Sequence, residues 1–82
     1  MAKGKATHKI KDRYKKELRT FGNHLKEIRK RKQLTQLDVC ELAGINYTSY
    51  NRTESGLANP TLAMLMALAE GLKVSLKELV DF

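Results

Sequence analysis

The chain has 82 residues, of which 41% are hydrophobic and 30% charged, and it carries a formal net charge of +7. This length suits one small domain, and no stretch approaches the roughly 20 apolar residues that a membrane-spanning helix needs. No apolar segment follows the basic N-terminus and the single Cys40 cannot form an internal disulfide. We therefore expect no secretory signal and a reducing, cytoplasmic location.

The positive charge is concentrated in the first part of the chain. Residues 1–33 contain thirteen Lys or Arg and three acidic residues, whereas residues 34–82 contain three basic and six acidic residues. Such an asymmetric field attracts a polyanion. A solubilising tail followed by a solvated helix face would have the same composition, so this alternative stays open.

Residues 1–8 are small, polar and basic and predict a disordered arm. Apolar residues then recur at helical spacing and predict a helix that ends near residues 32–33. This helix either is continuous or has an N-terminal extension joined to it near Thr20–Gly22. The stripe consists of Ile10, Tyr14, Leu18, Phe21, Leu25 and Ile28.

A short second helix is predicted from Thr35 to Ala43. Thr35 has the character of an N-cap, and Asp38 three residues later makes an imperfect capping box. Gly44 is expected to end the helix, because glycine adopts the left-handed C-cap conformation without steric penalty.

The third predicted helix, about residues 47–55, is unusually polar. Asn46 is its expected cap and Gly56 its end, and little aliphatic surface lies between them. Two short helices joined by a tight turn have the spacing of a helix-turn-helix. In that motif the second helix lies in the major groove of DNA, which explains a polar outer face.

Two further helices are predicted after a loop at residues 57–61. Residues 62–70 are almost wholly apolar and should form a helix that is buried on most sides and ends at Gly71. Ser75 and Glu78 have the spacing of a full capping box for a last helix over residues 76–81. The fold class is therefore all-α, with five helices.

Many positions between residues 20 and 80 follow one known pattern. They are Ile28-Arg29, Leu34-Thr35-Gln36, Gly44-Ile45-Asn46, Glu54, Gly56, Pro60-Thr61-Leu62, Leu65, Leu68-Ala69, Leu72, Val74-Ser75-Leu76 and Leu79. With these positions the chain resembles the Cro and phage-repressor type of helix-turn-helix domain, the XRE family. The resemblance implies a compact five-helix repressor-like domain at residues 20–82, preceded by a basic N-terminal arm or helical extension at residues 1–19.

The resemblance also implies sequence-specific binding of double-stranded DNA, as in a dimeric transcriptional regulator. The implied base contacts are Tyr47, Thr48, Asn51 and Arg52, and the implied phosphate contacts are Thr35, Gln36, Asn46, Ser49 and Asn59. Arg52 is the main candidate for specificity, because a guanidinium can pair bidentately with guanine. Gln36 is also expected to brace the recognition helix.

Several of these residues have a simpler interpretation. Asn46 is primarily a helix cap, Ser49 can merely decorate an exposed turn, and Glu54 is more often structural in this family than a DNA contact. Arg52 can instead pair with Asp38 or Glu54, as a surface salt bridge of little energetic value.

Three positions depart from the family pattern. Cys40 replaces an alanine and should pack equally well, since it is small and apolar. Tyr50 and Thr53 stand where the family has isoleucine or leucine. We expect Tyr50 to bury its ring and lead its hydroxyl to a surface partner, and Thr53 to weaken the anchor of the recognition helix.

The last helix is where the resemblance places a homodimer interface, with Leu76, Val80 and Phe82 as the apolar contacts. Alternatively, Leu76 and Leu79 close the core while Val80 and Phe82 fray. Some family members, such as antitoxins and accessory regulators, act mainly through a protein partner, so an unknown protein partner is the second functional hypothesis.

The basic N-terminal residues form a separate hypothesis: contacts to flanking phosphates or to the minor groove. They are Lys3, Lys5, Lys9, Lys11, Arg13, Lys15, Lys16 and Arg19. The amphipathic stretch 9–32 could instead lie on an anionic bilayer, but its apolar face is narrow and we expect no membrane binding.

Catalysis is not expected. His8 and His24 lack a carboxylate or thiol constellation, and Cys40 on an apolar helix face indicates a core residue and not a nucleophile. No cofactor site and no metal-ligand cluster are predicted.

Overall fold

The computed structural model describes residues 10–82, so the predicted arm at residues 1–8 lies outside the described residues. Residues 10–13 form a short helical segment. Five helices follow, and no strand occurs in the described part of the chain: α1 (Lys15–Arg31), α2 (Gln36–Ala43), α3 (Tyr47–Glu54), α4 (Leu62–Leu72) and α5 (Leu76–Leu79). The all-α prediction is confirmed, with six helical segments in residues 10–82 instead of five.

The extra segment results from an interruption at Tyr14, where φ is −110° and ψ is 26°. Backbone hydrogen bonds still bridge it, because the Tyr14 amide donates to Ile10 and the Leu18 amide donates to Tyr14. The alternative that placed a join near Thr20–Gly22 is wrong, since α1 runs through these residues without a break.

The core contains apolar side chains from all five helices. Its buried members are Phe21, Leu25, Ile28, Val39, Cys40, Tyr50, Leu68, Ala69, Leu72 and Leu79. Helix α3 contributes Tyr50 as its apolar member. Few apolar contacts therefore hold α3 to the core, and polar contacts described below also hold it in position.

Helix α4 is less buried than its sequence predicts. Leu68, Ala69 and Leu72 face the core, but Leu62 is 64% exposed and Met66 is 56% exposed. The helix packs against α2 and α5, and no other described element covers its outer face. The expectation of burial on most sides is thus wrong, because so small a domain has too few helices to enclose one of them.

The predicted end of α4 at Gly71 is also wrong. The helix continues to Leu72 and ends at Lys73, which adopts the left-handed conformation with φ of 59°. Gly71 instead lies where α4 approaches α2, and a Cβ there would come within 3.1 Å of Ala43. Packing, not chain termination, accounts for the glycine.

The capping box predicted to be imperfect is complete in the structure, and the one predicted to be full is incomplete. The Asp38 amide donates to Oγ1 of Thr35 at 3.0 Å and the Thr35 amide donates to the Asp38 carboxylate at 2.9 Å, so the imperfect box closes completely. Ser75 accepts from the Glu78 amide, but the Glu78 carboxylate lies 3.5 Å from Arg31. Helix α5 ends at Leu79, two residues before its predicted end at residue 81.

None of the helices within residues 10–82 has the length and hydropathy needed to cross a bilayer.

Candidate nucleic-acid interface

A sharp turn joins α2 to α3. Gly44 has φ of 69°, a left-handed conformation that favours glycine, and the Ile45 amide donates back to the Cys40 carbonyl at 3.0 Å. Asn46 then begins α3, and its side chain accepts from the Ser49 amide at 2.8 Å. The turn and cap therefore set the angle at which α3 leaves α2, as the sequence predicts.

Helix α3 has two chemically different faces. Tyr50, Thr53 and Glu54 are buried, whereas Tyr47, Thr48 and Arg52 are exposed and Ser49 and Asn51 are partly exposed. Three of the four predicted base contacts thus lie on the open side of the helix, and Asn51 lies at its border. An exposed face of hydroxyl, amide and guanidinium groups can donate to and accept from base edges.

The buried face of α3 is anchored by Glu54. Its carboxylate accepts from Nε of Arg29 at 2.6 Å, from Nη2 of Arg29 at 3.1 Å and from Nε2 of Gln36 at 3.0 Å. The Tyr50 hydroxyl is a further donor. Arg29 also donates to the carbonyl of Leu34, which precedes α2, at 2.9 Å. Through Arg29, Gln36 and Glu54 this buried cluster joins α1, α2 and α3.

The cluster decides two of the sequence hypotheses. The structural interpretation of Glu54 is confirmed, since its carboxylate faces inward. The expectation that Tyr50 leads its hydroxyl to a surface partner is wrong, because its hydroxyl meets the buried Glu54. Thr53 is buried as well, and its hydroxyl donates to the Ser49 carbonyl at 2.8 Å and lies 3.8 Å from the Met64 sulfur. That Thr53 weakens the anchor of α3 stays a prediction.

Burial and hydrogen bonding act in opposite directions on Glu54. Burial alone would raise the pKa of its carboxyl, but the donors from Arg29, Tyr50 and Gln36 outweigh it and hold this pKa below its usual range. Burial raises the pKa of Tyr50, and the carboxylate beside the hydroxyl raises it further. The hydrogen bond to Glu54 raises the pKa of Arg29. Glu54 and Arg29 are therefore charged, and Tyr50 is neutral, near pH 7.

Gln36 connects the buried cluster to the exposed face. While its amide nitrogen donates to Glu54, its carbonyl accepts from the Tyr47 hydroxyl at 3.0 Å and from the Asn51 amide at 3.5 Å. The expectation that Gln36 braces the recognition helix is confirmed. The hydrogen bond from Tyr47 also connects the first turn of α3 to the first turn of α2.

Arg52 has neither of the acidic partners considered for it. Its guanidinium donates to the Leu57 carbonyl at 3.1 Å, and Lys11 donates to the same carbonyl at 3.3 Å. This one neutral carbonyl leaves the charge of Arg52 uncompensated at the end of α3. Neither Asp38 nor Glu54 pairs with it within 4 Å.

The predicted phosphate contacts do not all lie together. Thr35 and Asn46 are the caps at the starts of α2 and α3, and Gln36 and Ser49 lie in the first turns of these helices. Asn59 lies apart, in the loop before α4, where it borders an apolar groove. The groove is also lined by Leu18, Phe21, Pro60, Leu65, Val80 and Phe82.

The predicted dimer contacts are all partly exposed: Leu76 by 37%, Val80 by 41% and Phe82 by 54%. Phe82 nevertheless packs on its own chain, with its ring centroid 5.7 Å from that of Phe21 and 6.4 Å from that of His24. The alternative in which Phe82 frays is therefore wrong, and part of its surface is already used within the monomer.

Two features of this region were missed at the sequence level. The pairing of Arg29 with Glu54 was not predicted, although the position of Arg29 four residues after Leu25 places it on the buried face of α1. Arg19, Asn23 and Lys26 were not connected with α3, yet they line one polar cleft with Gln36 and Asn51.

The short α2, the left-handed turn, the exposed α3 and the buried cluster beneath it define a helix-turn-helix domain. Comparison with known proteins agrees: the helix-turn-helix family matches residues 25–79, and the chain belongs to this family.

Two relatives are similar over most of the chain. The cryptic phage CTXphi transcriptional repressor RstR of Vibrio cholerae serotype O1 (strain ATCC 39315 / El Tor Inaba N16961) is 37% identical over 71 residues. The match covers 87% of this chain and 54% of the repressor, so the chain spans about half of that relative's length. The crystal structure of the restriction-modification controller protein C.AhdI from Aeromonas hydrophila superposes with a TM-score of 0.74 at 32% identity, covering 76% of this chain and 94% of the controller.

Proposed function

We propose that this protein binds double-stranded DNA sequence-specifically and acts as a dimeric transcriptional regulator in the cytoplasm. In this proposal α3 enters the major groove, with Tyr47, Thr48, Asn51 and Arg52 directed to base edges. The N-terminal turns of α2 and α3 approach the phosphates on either side of the groove.

The observation that carries the proposal is the division of α3 into two faces. Its inner face is held by a buried ion pair and two further donors, and its outer face carries exposed polar groups with an uncompensated guanidinium. A helix that is merely structural gains nothing from an outer face oriented in this way. A rigid, polar, cationic helix is suited to direct readout of base pairs.

The relatives support the regulatory part of the proposal. RstR is described as a transcriptional repressor and C.AhdI as a controller protein of a restriction-modification system. Helix-turn-helix dimers bind two half-sites about 34 Å apart, one turn of DNA. Dimerisation through Leu76, Val80 and Phe82 therefore predicts an operator with two-fold symmetry.

The test is selection of binding sites by the intact protein from a random duplex library at near-physiological salt. Enrichment of a two-fold symmetric sequence is the expected result. The affinity for this duplex is then compared by fluorescence anisotropy with that for a shuffled duplex of equal length. Equal affinities would exclude sequence-specific binding, and enrichment of a site without symmetry would exclude the symmetric dimer.

A further inference from the structure

A line of cationic side chains runs along one face of α1. Lys15, Arg19 and Lys26 are separated by four and seven residues, so they project from the same side of the helix. All three are exposed, and Asn23 lies between them on that side. We call Lys15, Arg19 and Lys26 the α1 basic track.

Two close approaches fix the α1 basic track against the recognition helix. A Cβ on Gly56, which follows α3, would lie 2.7 Å from the Cα of Arg19. A Cβ on Gly22 would lie 2.8 Å from the Thr53 carbonyl oxygen and closer still to that of Glu54. The backbones of α1 and the end of α3 are thus in direct contact, so the track has a defined position relative to the exposed face of α3.

Arg19 separates two clefts that both open beside α3. The first, of about 350 Å³, is also lined by Asn23, Lys26, Gln36, Asn51, Glu54 and Ser55. The second, of about 330 Å³, is also lined by Lys11, Asp12, Lys15, Arg52, Gly56 and Leu57. The surface therefore continues from the base-contact candidates on α3 to the cations on α1.

The charges of the track are not used within the domain. The ion pairs among residues 10–82 join Arg29 to Glu54 and Arg31 to Glu78, and none includes a residue of the track. Three cations on one face, without acidic partners, attract an anion with regularly spaced charges. At 1.5 Å per residue the track is about 16 Å long, close to five base-pair steps of about 3.4 Å.

We propose that Lys15, Arg19 and Lys26 bind backbone phosphates of the duplex whose bases α3 reads. This inference rests on the proposed function and assigns to α1 a part of the binding energy that is independent of sequence. The inference does not extend to every basic residue near the N-terminus. Lys16 adjoins Lys15 but lines neither cleft, so we expect it to make no phosphate contact.

The test compares two triple variants of equal charge. The track variant is Lys15→Gln/Arg19→Gln/Lys26→Gln, and the control is Lys16→Gln/Lys73→Gln/Lys77→Gln, which removes three other exposed cations. Each is titrated with the selected duplex and with a shuffled duplex at several salt concentrations. Thermal unfolding verifies that both triple variants fold. A second control, Arg19→Lys, keeps the positive charge and should bind both duplexes with the affinity of the parent.

We expect the slope of log affinity against log salt to become shallower by about 0.9 for each lost phosphate contact, between two and three in total for the track variant. The control should change it by less than one. Affinity for both duplexes should fall by the same factor, leaving the sequence preference intact. Equal slopes for the two triple variants would overturn the inference while the proposed function stands. Loss of preference in the parent itself would overturn the proposed function, and a parent that binds neither duplex would overturn both.

Discussion

Nε of Arg29 lies 2.6 Å from a carboxylate oxygen of Glu54, and this buried ion pair connects α1 to the last residue of the recognition helix. Because both partners are withdrawn from water, each depends on the other for compensation of its charge. The ion pair helps to hold α3, which has few apolar side chains, against α1.

Replacement of Glu54 by glutamine should strongly destabilise the protein. Arg29 would remain buried without its counter-charge, and breaking one partner of such a pair costs about 3–5 kcal/mol. Urea unfolding at neutral pH measures the change. Glu41→Gln, at an exposed position of α2, is the control and should change the free energy of unfolding by less than about 0.5 kcal/mol. Similar losses in both variants would contradict the role assigned to the ion pair.

The stability of the parent protein should fall on acidification. Since the pKa of Glu54 is lowered in the folded state, the unfolded state binds more protons as the pH decreases. The contribution of Glu54 is complete above the ordinary carboxyl pKa of about 4.3 and disappears as the pH falls through the lower folded value. The difference in unfolding free energy between the parent and Glu54→Gln should therefore stay constant down to about pH 5 and narrow as the pH falls further. A constant difference would show that the charge of Glu54 contributes nothing.

Gly22→Ala should be destabilising, although alanine favours a helix by about 1 kcal/mol over glycine. The new methyl group would meet the carbonyl oxygens of Thr53 and Glu54, which are backbone atoms that cannot move without displacing α3. We expect a net loss of about 1–3 kcal/mol in the free energy of unfolding, measured with urea. Gly71→Ala is the comparison, because its nearest neighbour is 3.1 Å away and its cost should be smaller. The reverse order of the two costs would contradict the close approach of α1 to α3.

Arg52→Ala should relax the preference at one base pair of the selected site. The expected loss of discrimination there is about 1–3 kcal/mol, measured as the ratio of affinities for the site and its point-substituted forms. The salt slope should stay nearly constant, since a base contact releases few counterions. Arg52→Lys retains the charge but cannot form a bidentate pair, and it should lose discrimination as well. If Arg52→Ala instead weakens binding equally for all DNA sequences, Arg52 contacts a phosphate and not a base.

Val80→Glu should weaken self-association without unfolding the monomer. Val80 is 41% exposed, so a carboxylate there reaches water in the monomer but would be buried in the proposed dimer. Sedimentation equilibrium should give a dimer dissociation constant at least tenfold higher, which is about 1.4 kcal/mol. Leu42→Glu introduces the same charge at an exposed apolar position on α2 and should leave association unchanged. An equal effect of both substitutions would argue against an interface at α5.

Local signals in the sequence determined most of the secondary structure. Thr35, Asn46 and Ser75 cap the helices that they were predicted to cap. Gly44 ends α2 in the left-handed conformation, as predicted. Capping and left-handed turns involve residues within about four positions of one another, so they can be recognised without the fold. The polar character of α3 was visible for the same reason, and it was enough to indicate a helix-turn-helix.

Contacts between distant segments were decided only by the tertiary structure. The partner of the Tyr50 hydroxyl, the exposure of Leu62 and Met66 and the packing of Phe82 on Phe21 depend on which faces of the helices meet. So does the position of the α1 basic track, which adjoins α3 because Gly22 and Gly56 allow two backbones to touch. Hydrophobic periodicity states that a face is buried but not against what, and the partners follow from the packing of all five helices together.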